Sequence, residues 1–500
     1  MSLLRAALKN KYAWPVVMVW LYWATRLWNL TGLPVFLDEA IYMRRAWLVH
    51  GGNWLAEIMD GAVLIPRLLA PVLPWAGPTL EGMLFTARWF TVAVDLFALL
   101  LIYVLVRDLF SSRAALLASL IYLFTPFVFV YDRMALADGP LLTLYVLAFW
   151  LALRVLRKLR PWREALLLGL VIGLASLTKA SGILIMLAPM LVLFAGGDGR
   201  AALRLWPWWT AAFVVAAAIY APFFLAGAGQ YQLATRSALS AGGLDLLQLA
   251  AANGVQLLEW LAGYWPGLLA LCFVLALAGS LSLQRGGLIW SAAALAPVLF
   301  FVVLARSWYP RYILLSMGPL IILAGWFCDW AGCRLDRIAS RWSAPLLAAL
   351  LVVVLAPSLQ FDYAIGAAPA DAPWPAVERW QYIENWPSGY GVQEAITLLR
   401  QAEVESVGGI NLVRMNMNGP ALEIVDMFLQ TNARVSRSTM NLRQNDAMTK
   451  LTALSQERPT YIILDPPHEA FDFGRKYPQA RLLGKFDKPG GQSSILVFEW

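Results

Sequence analysis

The chain has 500 residues, of which 60% are hydrophobic and only 14% are charged. This composition, with a mean hydropathy of +0.62, excludes an ordinary water-soluble protein and is typical of a chain with many membrane-spanning helices. A net charge of +8 in a soluble protein would indicate nucleic acid. In a membrane protein Lys and Arg collect in cytoplasmic loops. We therefore interpret the positive charge as the signal that orients the chain in the membrane, and expect no nucleic-acid partner.

Apolar runs of suitable length predict about eleven transmembrane helices. The basic N-terminus followed by the first apolar run resembles a signal sequence without a cleavage site, so we interpret it as a retained anchor. The runs lie near 13–33, 82–106, 114–131, 138–156, 164–178, 182–197, 206–227, 256–283, 287–304, 312–330 and 343–359. The fifth and sixth are short and separated by "TKAS", which predicts a tight hairpin.

The loops between alternate runs hold the basic residues, which predicts a cytoplasmic N-terminus. The densest group is Arg154, Arg157, Lys158, Arg160 and Arg163. With an odd number of spans, the C-terminal segment then lies outside the cell membrane, which in a bacterium is the inner membrane. The sequence thus predicts an integral membrane protein with an extracytoplasmic C-terminal part.

The composition changes near residue 361, where long apolar runs stop. "GVQEAITLLRQA" has the apolar spacing of a helix, and "TYIILD" and "SSILVFEW" are typical of short strands. We predict an α-helical polytopic membrane domain over residues 1–360, with an outer loop at 34–81, and a small extracytoplasmic α/β domain over residues 361–500. We expect the membrane part to hold the complete chemical site.

Acids and bases from separate places in the sequence are predicted to lie at the outer face. Ionisable groups in or near the bilayer are costly and usually face a cavity or each other. Carboxylates can accept a proton from a nucleophile, and Lys and Arg stabilise phosphate oxygens. We therefore predict a site for an amphiphilic phosphate substrate, whose head group is transferred to an acceptor. The segments are "FLDEA", "VYDRMALADGPLL", "SLTKASG" and "ARSWYPRYILL".

These segments resemble, in their order and spacing over about 320 residues, the GT-C superfamily of integral-membrane glycosyltransferases. The likeness is to the branch of the dolichyl-phosphate-mannose protein mannosyltransferases and lipid A aminoarabinose transferases, in its bacterial form. It is carried by "FLDEA", "YDRMALADGPLL", "GLASLTKASGILI" and "YPRYILLSMGPL". The resemblance implies a polyprenyl-phosphate-linked sugar as donor and an inverting transfer at the outer face to a lipid, glycan or protein acceptor.

The resemblance also implies roles for individual residues. Asp38 would be the catalytic base on the acceptor, with Glu39 assisting its orientation. Asp138 would be a second acid, positioning acceptor or sugar. The substrate-binding residues would be Lys179 and Arg311 on the donor phosphate, with Arg133, Tyr309 and Tyr312 in support.

Several alternatives remain open in the sequence. A divalent metal ion is compatible with this superfamily, but the sequence has no Cys/His spacing typical of a metal site. Outside residues 361–500, His50 is the one candidate ligand. We therefore assign no metal ligand. "LDPPHEAF", with Asp465 and His468, is interpreted as a strand-end turn rather than a catalytic loop. The same charges would also suit a transporter or flippase of lipid-linked sugars, or a non-catalytic partner subunit.

Overall fold

The structure, a computed structural model, describes most of the chain. Two features of the sequence interpretation lie outside the described residues, namely the basic N-terminus and His468. The described residues are 13–58, 61–77, 79–196, 199–228, 230, 243–263, 274, 277–278, 281, 285–307, 309–338, 343–415, 419–429, 434–442, 444, 446–465 and 473–500.

The helices of six or more residues are numbered in chain order. They are α1 Ala13–Leu27, α2 Leu37–His50, α3 Leu64–Leu69, α4 Leu80–Leu109, α5 Ser112–Phe124, α6 Pro126–Asp132, α7 Asp138–Arg157, α8 Trp162–Thr178, α9 Leu187–Gly196, α10 Gly199–Leu225, α11 Gly243–Gly263, α12 Arg285–Leu304, α13 Leu314–Ile338, α14 Ser343–Ala367, α15 Val392–Glu405, α16 Pro420–Leu429 and α17 Ala447–Glu457.

Within the described residues, five helical segments are long and apolar enough to cross a membrane. The bent pair α5–α6 would make a sixth if it counts as one span. Several predicted spans form shorter helices or include residues outside the described ranges, so the count of about eleven stays a prediction. The five segments are Leu80–Leu109, Asp138–Arg157, Arg204–Leu225, Gly287–Leu304 and Pro310–Ile338.

The third predicted span is a broken helix. α5 and α6 meet at an angle of 66° across Thr125. Pro126 occupies the first turn of α6 and Thr125 is extended, at φ −78° and ψ 114°. A proline disfavours helical backbone in the residue before it and donates no backbone hydrogen bond, which accounts for the break. The bend redirects the end of α6, where Asp132 and Arg133 lie.

The described chain divides into two compact units. The first unit contains residues 1–28, 57–65 and 88–366 and includes α1 and α5 to α14. The second contains residues 29–56, 66–87 and 367–500. The outer-loop segment that carries Asp38 and Glu39 therefore belongs to the same unit as the C-terminal residues. The domain boundary at residue 360 stays a prediction.

The second unit contains a five-stranded mixed sheet. The strands are β1 Ile410–Met415, β2 Val435–Met440, β3 Thr460–Leu464, β4 Arg481–Asp487 and β5 Ser494–Glu499. Their order is β2-β1-β3-β5-β4, with β1 parallel to β2 and β3, and β5 antiparallel to β3 and β4. Parallel neighbours need a crossover connection, and α16 and α17 supply one each. Val413, Leu451, Ile462, Phe473 and Phe498 are part of the core beside the sheet.

The structure confirms the predicted secondary structure of the C-terminal part. "GVQEAITLLRQA" contains the start of α15, "TYIILD" contains β3, and "SSILVFEW" contains β5. The fold class, a helical membrane protein with a small C-terminal α/β region, is confirmed.

Candidate active site

The first group of predicted site residues lies where α7 begins. Lys179 Nζ is 2.7 Å from Asp138 Oδ1, and the same ammonium lies 3.9 Å from the centroid of the Tyr312 ring. The side chains of the ion pair are only 10% and 7% exposed. Charges buried to this extent need close partners to offset their lost hydration. The structure therefore brings Asp138, Lys179 and Tyr312 together.

Arg311 and Tyr309 complete this group, which we name the cation–tyrosine cluster: Asp138, Lys179, Tyr309, Arg311 and Tyr312. The guanidinium carbon of Arg311 lies 4.9 Å from the ring centroid of Tyr309 and 5.7 Å from that of Tyr312. The Tyr312 ring thus contacts both cations. Arg binds phosphate through a planar fork and Lys through a point charge. Two cations with one carboxylate leave the cluster an excess of positive charge, which can bind an anion.

A close backbone approach sets the position of Lys179. This residue is extended, at φ −160° and ψ 153°, between the end of α8 and the 3₁₀ helix Ala180–Met186. Gly182 N donates to Lys179 O at 2.8 Å. A Cβ on Gly182 would lie 1.8 Å from Ala175 O, so only glycine permits this approach. Around "TKAS", from which a hairpin was predicted, the chain forms the end of a helix, one extended residue and a 3₁₀ helix.

Arg133 lies in a second group of charges rather than at the start of α7. One of its guanidinium nitrogens donates to Trp28 O at 2.8 Å, and the guanidinium carbon is 4.7 Å from the Phe129 ring centroid. Its charged neighbours include Arg26 and Asp362. The role of Arg133 at a donor phosphate stays a prediction.

The second group is built on an ion pair that the sequence interpretation missed. Arg26 and Asp132, both 0% exposed, approach to 3.2 Å. The Tyr122 hydroxyl donates to Asp132 Oδ1 at 3.2 Å, and Arg26 Nη1 donates to Leu123 O at 2.7 Å. These hydrogen bonds satisfy charges that would otherwise be costly to bury. Arg26 and Asp132 thus form a fully buried ion pair.

Asp95, inside α4, was also missed. It is fully buried, and a Cβ on Gly139 would lie 1.9 Å from its Oδ2 atom. Gly139 therefore allows this carboxylate to approach the first turn of α7, where the helix dipole favours negative charge. An ionisable residue within an apolar run is itself a signal of function or pairing. That rule would have selected Arg26 and Asp95.

Asp38 and Glu39 lie in the first turn of α2, in the second unit. Glu39 is fully buried, and its carboxylate accepts a hydrogen bond from Phe36 N at 2.9 Å. This is the return half of a capping box, which fixes the residue at which the helix begins. Asp38 is half-buried on the same turn. The assisting role of Glu39 stays a prediction, and the cap gives it a physical basis.

We expect the replacement Glu39→Gln to be mild and Glu39→Ala to be severe. The glutamine amide still offers an oxygen to Phe36 N, whereas alanine removes the cap, at a cost of about 0.5–2 kcal/mol. Thermal unfolding and the predicted transfer activity should both be measured in the two variants. Equal loss in both would show that the negative charge of Glu39, rather than its cap, is what matters.

A buried lysine, Lys488, holds in place a loop of the C-terminal part that contacts the start of α2. Lys488 Nζ donates to Trp386 O at 3.0 Å, to Ser388 O at 2.7 Å and to Asp465 Oδ1 at 3.0 Å. These bonds use all three hydrogens of the ammonium. We name Trp386, Pro387 and Ser388 the support loop.

The support loop contacts the start of α2 directly. Pro387 O accepts a hydrogen bond from Leu37 N at 3.1 Å, which satisfies one of the free N–H groups of the first helical turn. Farther along α2, Arg44 forms an ion pair with Glu423 of α16. The C-terminal residues thus fix both the start and the direction of the helix that carries Asp38.

The described residues contain no group of three or more His, Cys, Asp or Glu side chains arranged to hold a metal ion. His50 lies at the exposed end of α2, and its ring centroid is 6.0 Å from that of Trp47. The donor set of the described residues does not fit a metal centre, so no chemical step is assigned to one.

Comparison by sequence gives a match to one family. The family of dolichyl-phosphate-mannose-protein mannosyltransferases matches residues 71–225. That segment runs from the end of α3 to the end of α10 and contains Arg133, Asp138 and Lys179. No curated protein sequence matches the chain.

Solved structures match over nearly the whole chain. The apo structure of ArnT from Cupriavidus metallidurans is similar with a TM-score of 0.61 and 16% identity, over 98% of both chains. ArnT bound to undecaprenyl phosphate gives a TM-score of 0.59 at 16% identity, over 97% of this chain and 98% of that one. A third match is AglB from Archaeoglobus fulgidus, an archaeal oligosaccharyltransferase in complex with an inhibitory peptide and a dolichol-phosphate. Its TM-score is 0.52 at 12% identity, over 89% of this chain and 69% of that one.

These matches define the fold. The chain has the architecture of the GT-C membrane glycosyltransferases, which confirms the resemblance that its motifs indicated. It also confirms that this is a membrane protein.

Proposed function

We propose that the protein is a glycosyltransferase that moves a sugar from a polyprenyl-phosphate-linked donor to an acceptor. The observation that carries this proposal is the cation–tyrosine cluster, in which Lys179 and Arg311 contact one tyrosine ring at the end of a membrane-spanning helix. Two solved structures of the same fold are described with polyprenyl phosphates, undecaprenyl phosphate and dolichol-phosphate. The fold and the cluster therefore support the same donor chemistry.

In the proposed reaction, Lys179 and Arg311 bind the donor phosphate and stabilise it as a leaving group. Asp38 accepts the proton of the acceptor group as that group attacks the anomeric carbon. The bond between the anomeric carbon and the phosphate oxygen breaks, and polyprenyl phosphate leaves with the electron pair. Attack from the opposite face inverts the configuration. The donor sugar is proposed to be a hexose.

The ion pair between Asp138 and Lys179 suggests a specific role for Asp138. A carboxylate 2.7 Å from the ammonium orients the Lys179 side chain while no phosphate is bound. The bound phosphate then adds to the negative charge around Lys179. We propose Asp138 as the positioning residue of the donor site, in addition to its predicted contact with sugar or acceptor.

We propose that the N-terminus is cytoplasmic and that the second unit is extracytoplasmic. The support is the distribution of basic residues, with Arg154 and Arg157 at one end of α7 and Asp138 at the other. A transporter or flippase of lipid-linked sugars is the second candidate, because it too would bind a lipid phosphate. It would bind the donor without cleaving it, which the transfer assay distinguishes.

We expect Lys179→Ala and Arg311→Ala to weaken donor binding roughly tenfold to a hundredfold each. A charge-assisted hydrogen bond to phosphate contributes about 1.5–3 kcal/mol, which corresponds to that loss of affinity. The measurement is the dependence of transfer rate on donor concentration, at saturating acceptor. Arg306→Ala is the control, since Arg306 is an exposed cation of the same "ARSWYPRYILL" segment. An unchanged donor dependence in both cluster variants would refute the phosphate role.

A further inference from the structure

A basic pocket lies at the opposite end of α7 from the cation–tyrosine cluster. Its volume is about 170 Å³, smaller than the ~300–1,000 Å³ of pockets that enclose drug-sized ligands. Two membrane-spanning helices, α4 and α7, supply most of its walls. We name it the α4–α7 pocket. Its lining residues are Leu105, Asp108, Leu109, Trp150, Leu153, Arg154, Arg157 and Lys158.

The charges of the α4–α7 pocket favour an anion. Arg154, Arg157 and Lys158 face one acid, Asp108, whose partner is Arg107 at 3.2 Å. Lys158 forms an ion pair with Glu164. Within the described part of the chain, neither Arg154 nor Arg157 forms a salt bridge. Arg154 interacts electrostatically with Glu164 without forming a salt bridge, so neither guanidinium is directly paired with a carboxylate, and arginine is well suited to phosphate.

The apolar part of the pocket favours a ligand with a hydrocarbon chain. Three leucines lie beside the cations, and the guanidinium carbon of Arg154 is 4.6 Å from the Trp150 ring centroid. Tryptophan with basic residues at a helix end is typical of the level of lipid head groups. The leucines are suited to contact the acyl chains, which lie next to the level of the head groups. A soluble anion would gain nothing from them.

The position of the pocket places it in the other leaflet from the donor site. α7 has 20 residues, and at 1.5 Å per residue its ends are about 30 Å apart, which is the thickness of the hydrocarbon core. Asp138 begins the helix and Arg157 ends it. A ligand in the α4–α7 pocket is therefore not the donor bound by Lys179.

We infer that the α4–α7 pocket binds the phosphate head group of an anionic phospholipid. Basic pockets between transmembrane helices on the cytoplasmic side are suited to such head groups. The phosphate would lie between Arg154 and Arg157, with its acyl chains along the leucines. This site is independent of the proposed transfer reaction, since none of its residues belongs to the cation–tyrosine cluster.

The test compares lipid retention in two matched variants of the full-length protein. Arg154→Gln/Arg157→Gln removes the pocket cations, and Arg160→Gln/Arg163→Gln removes the same charge from the following segment. Native mass spectrometry measures retained phosphatidylglycerol against phosphatidylcholine. We expect wild type and the control to prefer phosphatidylglycerol. The affinity of the pocket variant for this lipid should be lower by a factor of about ten or more. Equal loss in both variants would mean that the arginines only orient the chain.

Two further experiments on wild-type protein test the inference even if the pocket variant fails to insert into the membrane. In wild-type protein, a photoreactive phosphatidylglycerol should cross-link to peptides containing residues 105–109 or 150–158, and cross-links elsewhere alone would overturn the assignment. Inorganic phosphate at the same concentration should not displace the lipid. Displacement by phosphate would show a site for a soluble anion instead.

Discussion

Replacing Asp38 with asparagine is expected to lower the rate of sugar transfer by a factor of about 10² to 10⁴. The asparagine amide has nearly the shape of the carboxylate but cannot accept the acceptor's proton. Folding should be little affected, because Asp38 is only half-buried and Glu39 provides the cap of α2. Donor binding should stay near that of wild type.

The measurement is initial transfer rate beside thermal unfolding in Asp38→Asn. Asp446→Asn is the matched control, since Asp446 is an exposed acid of the second unit, directly before α17, and pairs with Lys450. The control should transfer sugar at the wild-type rate. Transfer by Asp38→Asn at more than half of the wild-type rate would remove Asp38 as the base.

Replacing Lys488 with methionine is expected to have the largest effect on stability. Lys488 and Asp465 are both 0% exposed, and removing one partner of a buried pair costs about 3–5 kcal/mol. Burial raises the pKa of Asp465 and lowers the pKa of Lys488, while each charge opposes the shift of the other. Loss of the ammonium also frees Trp386 O and Ser388 O, so the support loop and the start of α2 should shift.

Two comparisons separate stability from positioning in this experiment. Lys485→Met removes an exposed lysine whose partner is Asp487, and should leave thermal stability near that of wild type, because exposed ion pairs contribute little. The double variant Asp465→Leu/Lys488→Met should recover part of the stability, because an apolar pair can replace a buried ion pair. Transfer should remain low in the double variant, since the support loop is still not held. Full recovery of transfer would show that Lys488 acts through stability alone.

Local sequence patterns predicted the elements that depend on local forces. The apolar spacing of "GVQEAITLLRQA" and the β-branched residues of "TYIILD" were sufficient for α15 and β3, because neighbouring residues decide those choices. The motif residues at the start of α7 were found because charges in an apolar sequence are conspicuous. Lys179, Arg311 and Tyr312 do lie together in the structure.

What the sequence could not show depends on residues far apart in the chain. Arg26 pairs with Asp132 more than a hundred residues away, and Lys488 reaches the support loop across a similar distance. A charge inside an apolar run, such as Arg26, indicates that a partner exists, but the sequence does not show which residue that partner is. The grouping of residues 29–56 with residues 367–500 is likewise a tertiary result, since the sequence places a membrane domain between them.

The most direct test of the proposed function is the fate of a labelled donor in proteoliposomes. Purified wild-type protein and the double variant Lys179→Ala/Arg311→Ala would be reconstituted with a polyprenyl-phosphate hexose labelled in the sugar, together with a crude envelope extract as acceptor. We expect wild type to release free polyprenyl phosphate in step with labelled acceptor, and the double variant to do neither. Intact donor that is merely moved between leaflets by wild-type protein would contradict the account and identify a flippase.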